Sequence, residues 1–380
     1  MGITDLVEAM HHTITRAPGV LGKPSQGRTR GITGLVYRSV RGVTQLVARS
    51  VDALLERLGA LIDEKHSSPE REALLAAING VLGDHLAASR NPLAIPMSLR
   101  KSGIALATSR AALAAAFPQP GHRLLVLLHG LCMSDLQWTR HGHDHGAALA
   151  RDLGYTPLYL HYNTGRHISA NGRDFADLME ALLREWPHPI EQVAMIGHSM
   201  GGLVARSACQ YAALAGHAWV ERLDRLVYLG TPHFGAPMER AGVRADALIG
   251  ISPYSAPFAR LGKIRSAGIQ DLGHGYLRDE DWQSGVDTNA GAKRPLLPMP
   301  PSVRCYAMAA SRQERPSAVG AKTRGDGWVP VDSALGRNRD AARDLGLPEE
   351  RRWIGYAMGH FDLLDRAEAY EKMRSWLAGP

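Results

Sequence analysis

The stretch Gln192-Val193-Ala194-Met195-Ile196-Gly197-His198-Ser199-Met200-Gly201-Gly202 decides the fold. Its first five residues form a short apolar run with a polar start, which reads as a buried strand. Leu203, Val204 and Tyr211 then recur at helical spacing, so a helix follows at once. Between the two lies G-x-S-x-G, whose glycines let a sharp, strained turn pass between strand and helix without side-chain collisions. A serine at the apex of such a turn holds its Oγ clear of the backbone, and Ser199 is therefore the candidate nucleophile. The short string alone is common; the flanking strand and helix give it meaning.

Outward from this turn the chain keeps one texture. Arg123 to Leu128, Tyr155 to Leu160, Gln192 to Ile196, Leu223 to Leu229, Val303 to Ala307 and Arg352 to Tyr356 read as strands. They alternate with amphipathic helices, one between Ser169 and Trp186 and a last one from Leu363 to Leu377, which predicts a mostly parallel sheet covered on both faces. Between residues 236 and 300 the alternation stops, and this is where a cap over the active site is expected. The first 117 residues read differently, as an N-terminal helical region preceding a catalytic domain at 118–380. Ile32, Val36, Val40, Val43, Val47, Val51, Leu54, Leu58 and Leu61 form an apolar stripe, and Ser67-Ser68-Pro69-Glu70 starts a helix running towards Ala88. Pro92, Pro96, Pro118 and Pro120 break up the connection that follows.

A serine on a strand-to-helix elbow needs a base and an acid, which in this architecture follow it in that chain in the order acid, then histidine. After His274 the chain holds one histidine, His360, just past the last strand. A neutral imidazole there can take the serine proton and later return it to the leaving group. The acid is sought between Val303 and His360. Asp326 is the best candidate, because Gly325 and Gly327 permit a tight turn and Trp328-Val329-Pro330 anchors it; Asp332 is the runner-up.

The strand ending at Leu128 opens into His129-Gly130-Leu131. Backbone N–H groups of Leu131 and Met200 are the expected oxyanion donors. With Thr231-Pro232-His233-Phe234-Gly235-Ala236-Pro237, Gly325-Asp326-Gly327 and His360, these motifs resemble the lipase and esterase branch of the α/β-hydrolase superfamily, including bacterial triacylglycerol lipases and proteins like the GPI inositol-deacylase. The resemblance covers about Arg123 to the C-terminus. It implies the α/β-hydrolase fold and ester hydrolysis through an acyl-Ser199 intermediate, with Asp326 orienting His360 and no cofactor. It also implies that His129, Gly130, His198, His233 and Phe234 border the substrate. A single glycine in the oxyanion loop, in place of H-G-G-G, favours medium or long acyl chains or otherwise apolar esters. Thioester hydrolysis and acyl transfer would use the same residues, and a noncatalytic binding protein on the same fold is the alternative of a different class.

Composition narrows the setting. The formal charge is +7, yet the basic residues are scattered and lack aromatic interleaving, so no nucleic-acid partner is expected. Cys132, Cys209 and Cys305 lie far apart without C-x-x-C, which suggests neither a zinc site nor a disulfide framework. With no signal-peptide pattern and no membrane-spanning apolar run, a cytoplasmic location is expected. The stretch from Arg28 to Arg49 carries five arginines and no acid; it fits either peripheral contact with an anionic membrane or packing on protein. Oligomeric state is not legible. His141-Gly142-His143-Asp144-His145 reads as the polar start of a helix rather than a metal site. Asn163 to His167 lies at the carboxyl edge of the sheet, where it either lines the site or forms a solvated connection.

Overall fold

The structure, a computed structural model, describes residues 69–236, 265–283, 295–314 and 324–379. The strands in chain order are β1 (Ser98–Lys101), β2 (Ile104–Ala105), β3 (Arg123–Leu128), β4 (Thr139–Arg140), β5 (His143–Asp144), β6 (Thr156–His161), β7 (Gln192–His198), β8 (Leu223–Leu229), β9 (Arg304–Ser311) and β10 (Arg352–Tyr356). The longer helices are α1 (Pro69–Ala88), α2 (Arg110–Ala116), α3 (His145–Leu153), α4 (Ile168–Glu185), α5 (Met200–Ala215), α6 (Ala267–His274) and α7 (Ala367–Ala378). Eight strands form one sheet in the order β10-β9-β8-β7-β3-β6-β1-β2, while β4 and β5 pair separately. From β10 to β6 every pairing is parallel; β1 runs antiparallel to β6, and β2 to β1.

Successive residues of a strand face opposite sides of a sheet, so a strand covered on both sides must be apolar throughout. In β3, Leu124, Val126 and Leu128 enter one core with residues of α1, α4 and α5. Leu125 and Leu127 enter the other, with residues of α3 and α7. The chain winds outward from β3 to β6, then returns to place β7 on the other side of β3. This reversal opens a crevice at the carboxyl ends of the central strands, the place where open α/β sheets bind ligands.

The six strands expected from the sequence are all present. Residues 69–117 pack with the sheet: β1 and β2 extend it, and α1 lies in the core on one of its faces. Ala73, Leu74, Ala77, Ile78, Val81, Leu82 and Leu86 of α1 are all buried. Buried Asn79 ties the following turn to the helix, donating to the Leu93 carbonyl at 2.8 Å and accepting from the Ile95 N–H at 2.9 Å. The stripe from Ile32 to Leu61 and the arginines between Arg28 and Arg49 lie outside the described residues, as does most of the expected cap. All three cysteines are free thiols, and all are buried. No helix among the described residues is long and apolar enough to cross a membrane.

Candidate active site

Ser199 joins β7 to α5 with φ 54° and ψ −121°. A positive φ on a residue with a side chain is strained, and such strain persists only where the surroundings over-determine it. Here the Ser199 N–H donates to the Leu229 carbonyl at the end of β8, at 2.8 Å. On the other side a Cβ at Gly201 would stand 2.2 Å from the Leu128 carbonyl oxygen, so only glycine lets α5 start this close to β3. The elbow is therefore locked between the ends of three strands.

His360 opens a tight helical turn after β10, and its Nδ1 lies 2.6 Å from Asp326 Oδ2. The other carboxylate oxygen, Oδ1, accepts the N–H groups of Trp328 and Val329, each at 2.8 Å. Burial pushes the Asp326 carboxyl up, but the His360 ring and these two backbone donors outweigh it and hold the group below the usual carboxylate range. The rings of His198 and Trp328 flank His360 at 4.7 and 5.2 Å between centroids. Asp332, the runner-up, is exposed and makes no hydrogen bond to His360.

Ser199 is joined to the His360 loop through its neighbours. Gly230 follows the Leu229 that accepts from Ser199, and a Cβ on it would stand 2.9 Å from His360 Cε1. His198 Nε2 lies 3.3 Å from the His360 carbonyl; a carbonyl only accepts, so Nε2 carries the proton. Burial first, and then the neighbouring His360, drives the His198 ring well below its ordinary pKa, so it remains neutral.

Gly130 abuts the elbow, since a Cβ there would be 3.2 Å from Ser199 Cβ. The next residue is Leu131, and Met200 begins α5, where the first N–H groups of a helix have no partner within it. The side chains of His129, His198 and His233 are each 2% exposed or less. They are enclosed by protein. His129 stacks on Tyr162 at 4.5 Å, and burial together with neighbouring His161 lowers its pKa to about 3. His233 Nδ1 accepts from Arg206 at 3.3 Å. Phe234 remains partly exposed, and its N–H donates to Ser333 Oγ at 3.3 Å.

The histidine run takes a structural place. Asp144 caps α3, its Oδ1 accepting from the Ala147 N–H at 2.8 Å. His143 Nε2 meets His145 Nδ1 at 2.8 Å, and His145 Nε2 donates to the Leu363 carbonyl at 2.9 Å. Arg140 pairs with Asp365 at 2.8 Å. The β4–β5 hairpin thus straps the loop that carries His360, a contact across more than two hundred residues that leaves no local sequence signal. Asn163 to His167 docks on protein: a Cβ at Gly165 would fall 2.1 Å from the Asn79 carbonyl of α1. Among the described residues no group of three or more His, Cys, Asp or Glu side chains is arranged to hold a metal ion.

A mostly parallel sheet with a strained serine elbow and an Asp–His pair at its carboxyl edge has the architecture of the α/β-hydrolase fold. More particularly, residues 119–292 match the family described as PGAP1-like alpha/beta domain. Among solved structures the chain is similar to Bacillus licheniformis lipase BlEst2 in its mature form, with 16% identity over 67% of this chain and 91% of that one and a TM-score of 0.43. It is also similar to Aspergillus fumigatus lipase B, with 12% identity, 96% and 76% coverage and a TM-score of 0.41. A hyperthermophilic esterase from Pyrobaculum calidifontis gives 13% identity, 86% and 96% coverage and a TM-score of 0.40. No curated protein sequence matches the chain.

Proposed function

We propose that the protein is a serine-dependent carboxylic ester hydrolase. The observation that carries this reading is the buried Asp326–His360 pair, 2.6 Å apart, beside the strained Ser199 elbow. In this mechanism Ser199 Oγ attacks the ester carbonyl while His360 Nε2 takes its proton. The Leu131 and Met200 N–H groups bind the oxyanion, each worth roughly 2.7–4 kcal/mol to the transition state. Collapse of the tetrahedral adduct breaks the bond to the alcohol oxygen, which leaves with the proton from His360. Water, deprotonated by the same histidine, then cleaves the acyl-Ser199 ester and returns the enzyme. Asp326 holds the imidazole in the tautomer that leaves Nε2 free and stabilises the imidazolium.

The substrates proposed are esters of medium or long acyl chains, on the strength of the single-glycine oxyanion loop. A chain-length series of p-nitrophenyl esters run beside Ser199→Ala tests both points. Turnover that rises with acyl length and vanishes in the variant is expected. Equal rates for the two proteins on every ester would sink the enzymatic reading and leave a binding protein on this fold.

A further inference from the structure

The loop from His129 to Asp135, which carries the proposed donor Leu131, is held by residues that precede the matched domain. Arg100 on β1 donates through Nη1 to two carboxylates, Glu72 Oε2 of α1 at 2.8 Å and Asp135 Oδ1 at 3.1 Å. Both acids are buried, their side chains 6% and 2% exposed, and the arginine is only 16% exposed. His161 at the end of β6 closes the cluster, with Nδ1 3.3 Å from Asp135 Oδ1 and Nε2 3.9 Å from Glu72 Oε2. Both carboxylates meet the same guanidinium nitrogen, so the cation offsets the repulsion between two buried like charges. A buried charge left without its partner is costly, so the arrangement is held tightly.

The segment being held is under strain. Cys132, one residue past Leu131, has φ 56°. Its N–H donates to Thr164 Oγ1 at 3.2 Å, and the His129 carbonyl accepts from Tyr162 Oη at 2.8 Å. Its sulfur rests on α1, where a Cβ at Gly80 would fall 2.2 Å from Sγ. The loop is thus fixed at its start by Tyr162, in its middle by Thr164 and Gly80, and at its end by Asp135.

We propose that Arg100, bracketed by Glu72 and Asp135, is a positioning residue for the oxyanion loop, so that a strand outside the matched domain sets the placement of the Leu131 N–H. The inference rests on the ester-hydrolase reading for its catalytic consequence. A misplacement of about 1 Å in such a site costs on the order of 10²-fold in rate.

The test uses the full chain with Arg100→Met, Asp135→Asn and Arg100→Lys. Steady-state kinetics on a p-nitrophenyl ester are combined with thermal melts and backbone hydrogen exchange across residues 130–136. Arg100→Met and Asp135→Asn are expected to lower kcat by about ten- to a hundredfold, with KM within about threefold and a local rise in exchange. Arg100→Lys should recover most of the rate, because both carboxylates are bridged through a single nitrogen. A loss that tracks only the unfolded fraction, or exchange at 130–136 that stays at the wild-type level, overturns the proposal. If the wild-type chain hydrolyses no ester, the hydrolase reading fails, and the exchange measurement alone still decides whether Arg100 anchors the loop.

Discussion

At position 326 one carboxylate satisfies three partners at once, the His360 ring through one oxygen and two backbone N–H groups through the other. That arrangement is why Asp326→Asn is expected to lower kcat by about 10⁴. An amide can still accept from Trp328 and Val329, but it can present the ring with a donor and favour the wrong tautomer. Asp332→Asn should stay within about tenfold of wild type; the reverse ranking would move the acid to Asp332. The same carboxylate has a pH signature. Its folded-state pKa is depressed, so its stabilisation is fully present above the unfolded value of about 3.9 and is lost as the pH falls through the folded value. Melting curves of wild type and Asp326→Asn should therefore differ most near neutrality and converge as the pH falls through the folded value; a constant gap would contradict the depressed pKa. Ser199, His360 and Asp326 stand out in the sequence because each announces itself locally, by a glycine-flanked turn or as the last histidine of the chain. Arg100 and Arg140 were not, since their partners lie 28 and 35 residues away for the first and 225 for the second. An arginine gives no sign in sequence of which distant acid it will meet. The burial of His129, His198 and His233 was not legible either, because a motif fixes where a residue stands along the chain and leaves open which way its ring turns.

Elements buried on both faces announced themselves, and the edge did not. β3 and β8 match their expected limits, because the apolar runs Leu124 to Leu128 and Leu226 to Leu229 suit a strand covered on both faces. β1 is four residues long with Leu99 as its single buried side chain, too short and too polar for alternation to register. Helix α1 was expected from its capping signal, but nothing in its sequence tells that its small residues meet the oxyanion loop. That contact yields a test at this scale. Gly80→Ala would ordinarily favour a helix by about 1 kcal/mol. Here the added methyl meets Cys132 Sγ, so the variant should instead lose roughly 1–3 kcal/mol by overpacking. Adding Cys132→Ala should recover much of the loss, as read by denaturant unfolding. Simple additivity of the two changes would mean that the helix and loop do not press on each other.

Among the described residues one eight-stranded sheet separates two cores, and the matched stretch is only part of it. A chain beginning at residue 119 would lack α1 and the β1–β2 edge. It would uncover the apolar surface that Leu74, Ile78, Val81 and Leu99 now bury. Such a chain is expected to aggregate or melt far below the full protein, whereas one beginning near residue 66 would keep every element described here; scattering and thermal unfolding distinguish the two. The sealed interior also governs what reagents can reach. Burial raises the Cys132 thiol to about 12 and the Cys305 thiol to about 11, and Cys209 is raised as well. At neutral pH these sulfurs carry almost no thiolate, the form that attacks disulfides. The native protein should accordingly leave a colour-forming disulfide reagent uncoloured until denaturant is added. Coenzyme A released from an acyl thioester can then be followed continuously in the same cuvette, with no background from the catalyst itself.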